Sequence, residues 1–123
     1  MAADYVVISS SPFTLNYSGA GEMDKSLEFT LPSGAKVDTD SILFWVAEMS
    51  FNVATASLTC RININTKQVY QQFFNGRSYG SYHAVIGATI LKEAGKTNNI
   101  EFEIEGSGYS NLKVSDIYLM MQR

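Results

Sequence analysis

Apolar and polar residues alternate along most of this chain, and Gly, Pro, Asn and Ser clusters interrupt the alternation at short intervals. A period of two residues is typical of strands that bury one face, whereas amphipathic helices repeat about every 3.6 residues. The pattern predicts nine strands, and it leaves one stretch, Ile90 to Ala94, that can hold a helical turn. The strands are predicted at residues 4–9, 12–17, 26–31, 41–53, 57–64, 68–74, 83–91, 98–105 and 112–121.

The alternation also predicts which side chains form the core. Glu101, Glu103 and Glu105 must face water, because burying unpaired carboxylates in a row costs several kcal/mol each. The run 41–53 starts apolar on both faces, which predicts a central strand covered by the second sheet or by a loop, with Trp45 in the core. The residues predicted to point inward from other strands are Leu27, Phe29, Leu31, Ile100, Phe102, Ile104, Ile117, Leu119 and Met121.

Many short strands without connections long enough for helical crossovers favour an antiparallel fold over a parallel sheet. The predicted fold is all-β, an antiparallel, jelly-roll-like β-sandwich of eight or nine strands. At 123 residues the chain is long enough to bury a core without disulfides or metals, so residues 1–123 are predicted to form a single domain. Its 46% apolar and 17% charged residues are ordinary for a globular protein.

Charge and composition argue against several kinds of partner. The formal net charge is −3 and no basic block occurs, so we expect no nucleic-acid partner. The longest apolar run, Ile42 to Ala47, is too short for a membrane span. The start, Met1 to Asp4, has neither the basic residues nor the apolar segment of a signal peptide.

The single cysteine, Cys60, excludes a disulfide within the chain. It lies on the same face of its predicted strand as Leu58 and Ile62, which favours a buried core thiol over a reactive one. The absence of disulfides favours an intracellular protein, or one exported by a route that does not depend on oxidative folding.

The second half of the chain, roughly residues 56–121, resembles galactose-binding-like sandwiches. A predicted hairpin at 58–69 has an Asn-centred turn, with Thr66 where such hairpins usually carry Gly. A turn containing Gly and Asn leads into the apolar strand 100–104, and 114–119 is similar to the final strand of these domains. The resemblance implies a jelly-roll domain that acts as a carbohydrate-binding module or lectin. Other domains of this fold bind lipids, proteins or nucleic acids, so the fold does not decide the ligand.

The most unusual local composition lies at residues 70–83, which combine aromatic rings with amides, one arginine and the single histidine. A sugar site needs a flat aromatic face for the apolar side of a pyranose, and planar multi-donor side chains for its hydroxyls. An aromatic loop can equally anchor a contact between proteins, and its tyrosines can instead support the loop. The residues predicted to line a ligand site are Asn75, Arg77, Tyr79, Tyr82 and His83.

Metal and catalytic sites are not predicted. His83 has no second histidine and no nearby cysteine for a zinc site, and no nucleophile elbow accompanies it. The stretch 84–91 resembles a strand of small calcium-dependent bacterial lectins, but their Asp/Asn-dense calcium loop has no counterpart here. Two acidic pairs, Glu22 with Asp24 and Asp38 with Asp40, fall short of a full set of calcium ligands.

Two functions from different classes lead, and a third, an inhibitor or toxin component that docks on a protein, also remains open. The first is a non-catalytic carbohydrate-binding module or lectin that needs no cofactor, binds glycans through the 70–83 loop, and gains affinity as a homo-oligomer. The second is a structural or assembly protein, such as a jelly-roll subunit of a capsid or fibre. The apolar end 118–121 and the apolar run 42–47 favour the second.

Overall fold

The computed structural model describes residues 3–17, 23–51 and 56–122. Every regular element in these residues is a β-strand. The strands are Ala3–Ser9 (β1), Phe13–Tyr17 (β2), Met23–Thr30 (β3), Ser41–Phe51 (β4), Ser57–Ile64 (β5), Lys67–Phe74 (β6), Ser78–Ile86 (β7), Thr97–Ser107 (β8) and Ser110–Gln122 (β9).

The strands form two sheets in which all pairs are antiparallel. The five-stranded sheet has the order β1-β9-β4-β7, and β2 pairs with the first half of β9 beside β1. The four-stranded sheet has the order β3-β8-β5-β6. Consecutive strands therefore alternate between the sheets for much of the chain, as in a jelly roll. The predicted all-β antiparallel sandwich is confirmed.

The core lies between the two sheets and follows the predicted alternation. Trp45 is 2% exposed, Cys60 is 2% exposed, and Ile100, Phe102 and Ile104 are fully buried. Most of the other residues predicted to point inward are also buried: Phe29, Leu31, Ile117, Leu119 and Met121. Leu27, on the edge strand β3, is half-buried. Because the residues between them point outward, each strand separates an apolar inner row from an outer row.

The outer faces of the two sheets differ in chemistry. On the four-stranded sheet the outer face is polar, and the Asn63 amide donates to carboxylates of both Glu101 and Glu103 at 3.3 Å. Arg61 lies 3.7 Å from Glu105 on the same face. The expectation that the three glutamates face outward is confirmed. On the five-stranded sheet the outer face is largely apolar at the end where β7 finishes.

The run 41–53 was predicted to be covered on both sides, and the structure corrects this. Strand β4 is central, because β7 and β9 pair with its two edges. Its outward residues Ile42, Phe44 and Val46 are half-buried, so they are not sealed beneath the second sheet. Residues 52 and 53 lie outside the described residues, as does Glu22 of the first acidic pair.

The boundaries of β7 are the largest error of the strand prediction. The strand was expected at 83–91, and it spans Ser78–Ile86 because residues 78–82 continue the pairing with β4. The Gly and Ser residues of this stretch favoured a loop by composition, but pairing with a central strand overrides that preference. The helical turn expected at Ile90 to Ala94 is also absent from the described residues, where this stretch contains bends and turns.

Candidate functional site

The five residues predicted to line a ligand site do not meet in one cavity. Asn75 and Arg77 are exposed in the short connection between β6 and β7. Tyr79, which is 73% exposed, and His83 both point outward from β7, opposite Glu48 and Phe44 of β4. Four residues of extended strand separate them by about 13 Å.

Tyr82 points the other way, into the sandwich. Its ring stacks on Trp45 with centroids 6.0 Å apart, and meets the ring of Phe74 edge-on at 6.1 Å. Its hydroxyl shares a 2.8 Å hydrogen bond with the Ser78 hydroxyl. Tyr70 contributes another wall of this aromatic cluster, and burial raises the pKa of its phenol. Tyr82 therefore closes the open edge between β6 and β7 as part of the core.

A concave site lies after the opposite end of β7. It is formed by two ten-residue loops, 31–40 between β3 and β4, and 87–96 between β7 and β8. The cleft between them has a volume of about 440 Å³, within the range of ligand sites in proteins. Its lining residues are Val37, Asp38, Thr89, Leu91, Lys92, Glu93 and Lys96.

Backbone and side-chain hydrogen bonds hold the two loops together. The Thr89 amide donates to the Val37 carbonyl at 2.9 Å, and the Ala88 amide donates to an Asp40 carboxylate oxygen at 3.0 Å. Asp40 thus braces the loops, while its neighbour Asp38 faces the cleft. The described residues contain no group of three or more His, Cys, Asp or Glu side chains placed to hold a metal ion.

One wall of the cleft has a strained backbone. A turn from Gly87 to Ile90 places Thr89 at φ +74°, in the left-handed region that β-branched residues avoid. A second turn from Glu93 to Lys96 uses Gly95 at φ +83°, where glycine adopts this conformation without strain. Strained residues persist where the surrounding contacts fix them, and they are often found at binding sites.

Two asparagines, Asn65 and Asn98, hold loop 87–96 in place through hydrogen bonds to its backbone. Asn98 is fully buried, and its carbonyl oxygen accepts 2.8 Å bonds from the Lys92 amide and from the Asn65 side chain. The Asn65 side chain also donates to the Ile90 carbonyl at 2.8 Å and accepts from the Asn99 amide at 2.9 Å. These bonds satisfy loop groups that would otherwise be buried without partners, and they give the cleft a defined shape before any ligand arrives.

The lining residues combine an apolar floor with a charged rim. Val37 is half-buried and Leu91 is 6% exposed, so they present a small apolar surface. Asp38 and the exposed Lys92 supply an acceptor and a donor, as do Glu93 and Lys96 of the remaining rim. Charged groups make the strongest hydrogen bonds to hydroxyls, and a rim of both signs can donate to one hydroxyl while accepting from the next.

Comparison with known proteins finds similarity in the fold. No family model matches the chain, and no curated protein matches it in sequence. A dimeric latent PorU from Porphyromonas gingivalis is similar to 95% of this chain with a TM-score of 0.58 and 8% identity. A family 4 carbohydrate-binding module is similar to 81% of it, with a TM-score of 0.50 and 14% identity.

The chain spans 13% of the PorU chain and 61% of the family 4 module. Carbohydrate-binding modules of families 16, 27, 28 and 36 also match, with TM-scores of 0.44, 0.48, 0.49 and 0.42. The similarity to the family 4 module confirms the expected resemblance at the level of the fold. An identity of 14% carries no information on the ligand.

Sequence reasoning missed the cleft. Its residues are ordinary surface types, and the loop 87–96 was divided between a strand and a helical turn. The spacing of Asn65, Asn98 and Asn99 offered the one available clue, because asparagines at strand ends commonly bond to loop backbone. The local sequence predicts these asparagines in turns. Their long-range bonds to loop 87–96 depend on the sheet register, which the local sequence does not define.

Proposed function

We propose that this chain is a non-catalytic glycan-binding module and that the cleft between loops 31–40 and 87–96 holds the sugar. The observation that carries the proposal is the cleft itself, which joins an apolar floor to a rim of alternating charge. A pyranose presents a patch of C–H groups on one side and hydroxyls around its edge. The cleft lining contains no aromatic ring of the kind expected of a sugar site, so in this proposal Val37 and Leu91 contact the C–H patch and the charged rim bonds to the hydroxyls.

The comparisons support the same class of ligand. The family 4 module shares the fold and is described as a carbohydrate-binding module. The proposed recognition uses hydrogen bonds from the charged rim and apolar contact with the floor of the cleft.

A glycan array followed by calorimetric titration of the best ligand tests the proposal. We expect the wild type to bind a glycan, and Lys92→Ala or Asp38→Ala to weaken binding about tenfold or more, because each removes a charge-assisted hydrogen bond. Lys36→Ala is the matched control, since Lys36 is an exposed lysine of the same loops outside the cleft lining. Thermal melting must show that the variants fold as the wild type does.

Two results contradict the proposal. Absence of binding to any glycan rejects the function, and equal binding by wild type, Lys92→Ala and Asp38→Ala rejects the site. The ligand role expected of Asn75, Arg77, Tyr79, Tyr82 and His83 stays a prediction. A double variant, Arg77→Ala with Tyr79→Ala, tests two of the exposed members of that set. Selective loss of binding in this variant moves the site to Arg77 and Tyr79, at the start of β7.

The alternative, a subunit of a larger assembly, is favoured by the apolar outer face of the five-stranded sheet. Tyr118 and Met120 of the apolar end lie on this face, whereas Leu119 and Met121 are buried in the core. Size-exclusion chromatography with light scattering separates the two functions. A large closed assembly favours the subunit, and a monomer or dimer favours the glycan-binding module.

A further inference from the structure

The register of the five-stranded sheet places its outward side chains in rows that cross the strands. Two neighbouring rows at one end of the sheet are apolar or aromatic across all four strand positions. Together they form what we call the apolar rows, which contain Val85, Ile42, Met120 and Tyr5 in the first row and His83, Phe44, Tyr118 and Val7 in the second.

The side chains at the two ends of each row are exposed, and the four on the central strands β4 and β9 are half-buried. Tyr5 is 60% exposed, Val7 68% and Val85 59%. The rings of Phe44 and Tyr118 are stacked at 4.9 Å with an angle of 13° between their planes. Because the two rings cover each other's faces, they present edges to the solvent, and they do not offer the flat platform on which a sugar stacks.

A polar row crosses the strands of the same face at Glu48, two residues after Val46 along β4. Glu48 of β4 lies between Tyr79 of β7 and Lys113 of β9, and Thr14 of β2 completes the row. The structure contains no ion pair between Glu48 and Lys113 among its described residues. One carboxylate and one ammonium therefore lie side by side on adjacent central strands and are available to a partner.

We propose that a second copy of this chain packs on this face, about a two-fold axis that runs parallel to the strands between β4 and β9. Such an axis keeps every residue in its own row and exchanges β4 with β9. Phe44 then faces Tyr118 of the partner subunit, and Glu48 faces Lys113 of the partner subunit. The apolar rows of one copy contact the apolar rows of the other. Glu48 and Lys113 form two symmetry-related pairs of opposite charge across the interface.

The pattern of charge excludes the other simple axes. An axis lying over β4 puts Glu48 against Glu48 of the partner subunit, and one lying over β9 opposes the two copies of Lys113. An axis perpendicular to the strands reverses the order of the rows. Through the middle of the face it puts apolar rows against polar positions, and through the apolar rows it carries Glu48 and Lys113 out of the contact. Aligned packing of two sheets is also the common arrangement in β-sandwiches, with strands within about 30° of each other.

The size of the face suits a weak dimer. Four strand positions at about 4.8 Å and eight residues at about 3.4 Å measure roughly 19 by 27 Å, or about 500 Å² per copy. Specific interfaces bury about 1,200–2,000 Å² in total, with weak complexes below that range. A total of about 1,000 Å² lies below that range, so we expect a weak dimer that forms only at high protein concentration.

One charge of the face opposes the dimer. Asp116 occupies a bulge of β9 at φ +52°, beside the position where Ser115 pairs with Val46. Its exposed carboxylate loses water when the two faces meet and finds no opposite charge in its row. Asp116→Asn keeps a residue that tolerates the left-handed backbone and removes the charge, so this change is expected to tighten the dimer.

The dimer axis sets the relative direction of the two clefts. An axis parallel to the strands keeps the same end of both sandwiches on the same side, so the loops 31–40 and 87–96 of both copies face one way. Two sites that face one way can bind neighbouring glycans on a surface together. The interface itself does not depend on that binding.

Sedimentation velocity across protein concentration tests the dimer with a pair of matched variants. Val85→Lys introduces a charge into the apolar rows, and Phe73→Lys introduces one at an equally exposed position, 61%, on the outer face of the other sheet. We expect Val85→Lys to raise the dimer dissociation constant at least tenfold and Phe73→Lys to leave it unchanged. A wild type that stays monomeric at about 100 µM, or equal effects of both variants, overturns the proposal.

Charge reversal tests the axis. Glu48→Lys and Lys113→Glu each create like-charge contacts, so each alone is expected to weaken the dimer, and the double reversal is expected to restore it. Melting temperatures identify any variant that fails to fold. If the wild type binds glycan but never dimerises, the interface is overturned and the proposed function stands. If it dimerises but binds no glycan, the proposed function is overturned and the interface stands. Failure of the double reversal to restore the dimer overturns this axis.

Discussion

At the scale of single residues, Asn98 connects the sheet to the cleft. It lies near the start of β8 and is polar, yet its side chain is fully buried. The fold tolerates this burial because the Asn98 amide is bonded to loop 87–96 and to Asn65. A buried amide of this kind adds little net stability while it is paired, but its removal exposes the groups that it satisfied. Asn98 therefore fixes the shape of the loop more than it adds to the core.

We predict that Asn98→Ala lowers the free energy of unfolding by about 2 kcal/mol, because the Lys92 amide loses its acceptor inside the protein. The change is also expected to weaken ligand binding at the cleft, since Lys92 is one of its lining residues. Urea denaturation followed by circular dichroism measures the first effect and calorimetry the second. Asn99→Ala, whose side chain is exposed, is the control and is expected to stay within about 0.5 kcal/mol of wild type. Equal losses in both variants contradict the prediction.

At the scale of elements, the turn of the β5–β6 hairpin contains a residue, Thr66, that its backbone conformation disfavours. Asn65 and Thr66 form its two-residue turn with φ of +51° and +70°. A turn with positive φ at both central residues matches the right-handed twist of a hairpin, and glycine is the preferred second residue. Thr66 is β-branched and exposed, so its side chain strains the backbone without burying apolar surface.

We predict that Thr66→Gly raises the free energy of unfolding by about 1 kcal/mol, because the relief of backbone strain exceeds the extra flexibility of the unfolded chain. Thr14→Gly, at an exposed position in the extended strand β2, is the matched change and is expected to destabilise by about 0.5–1 kcal/mol. Parallel urea denaturation of the two variants compares them. Destabilisation by Thr66→Gly as large as that by Thr14→Gly refutes the strain argument.

The elements also show what the sequence can and cannot predict. The strand 57–64 was predicted with its observed bounds, because strict alternation and an Asn-centred turn define it locally. Strand β7 was not, because Ser78 to Ser81 are strand residues only by virtue of their pairing with β4. Which faces are buried follows from alternation, whereas the cleft depends on two loops far apart in sequence that meet through bonds such as that between Thr89 and Val37.

At the scale of the whole molecule, the two sheets use their outer faces differently. The four-stranded sheet carries the glutamates and amides that keep that face in water. The five-stranded sheet carries the apolar rows, which alternation predicted to be covered for 42–47. That prediction is wrong for the chain by itself, and in the proposed dimer a second copy covers these residues instead. The described residues include no helix of the length and apolarity needed to cross a membrane.

The core makes the stability of the molecule sensitive to alkaline pH. Burial, with a smaller effect of Glu103, raises the pKa of the Cys60 thiol from 9.0 to about 12. A group whose pKa is raised on folding contributes its full stability below its unfolded pKa, and that contribution is lost as the pH rises towards the folded value. The contribution of Cys60 is therefore complete below pH 9 and declines between pH 9 and about 12. Tyr70 acts in the same direction, because burial raises the pKa of its phenol.

We predict that the free energy of unfolding of the wild type falls more steeply above pH 9 than that of Cys60→Ala, by up to about 1.4 kcal/mol per pH unit. Cys60→Ala is less stable at neutral pH because it leaves a small cavity, so the informative quantity is the difference between the two proteins as the pH changes. Urea denaturation at intervals from pH 7 to 11 measures it, with reducing agent present. A difference that stays constant across this range shows that the thiol ionises as readily in the folded protein as in the unfolded chain, which contradicts its place in a closed core.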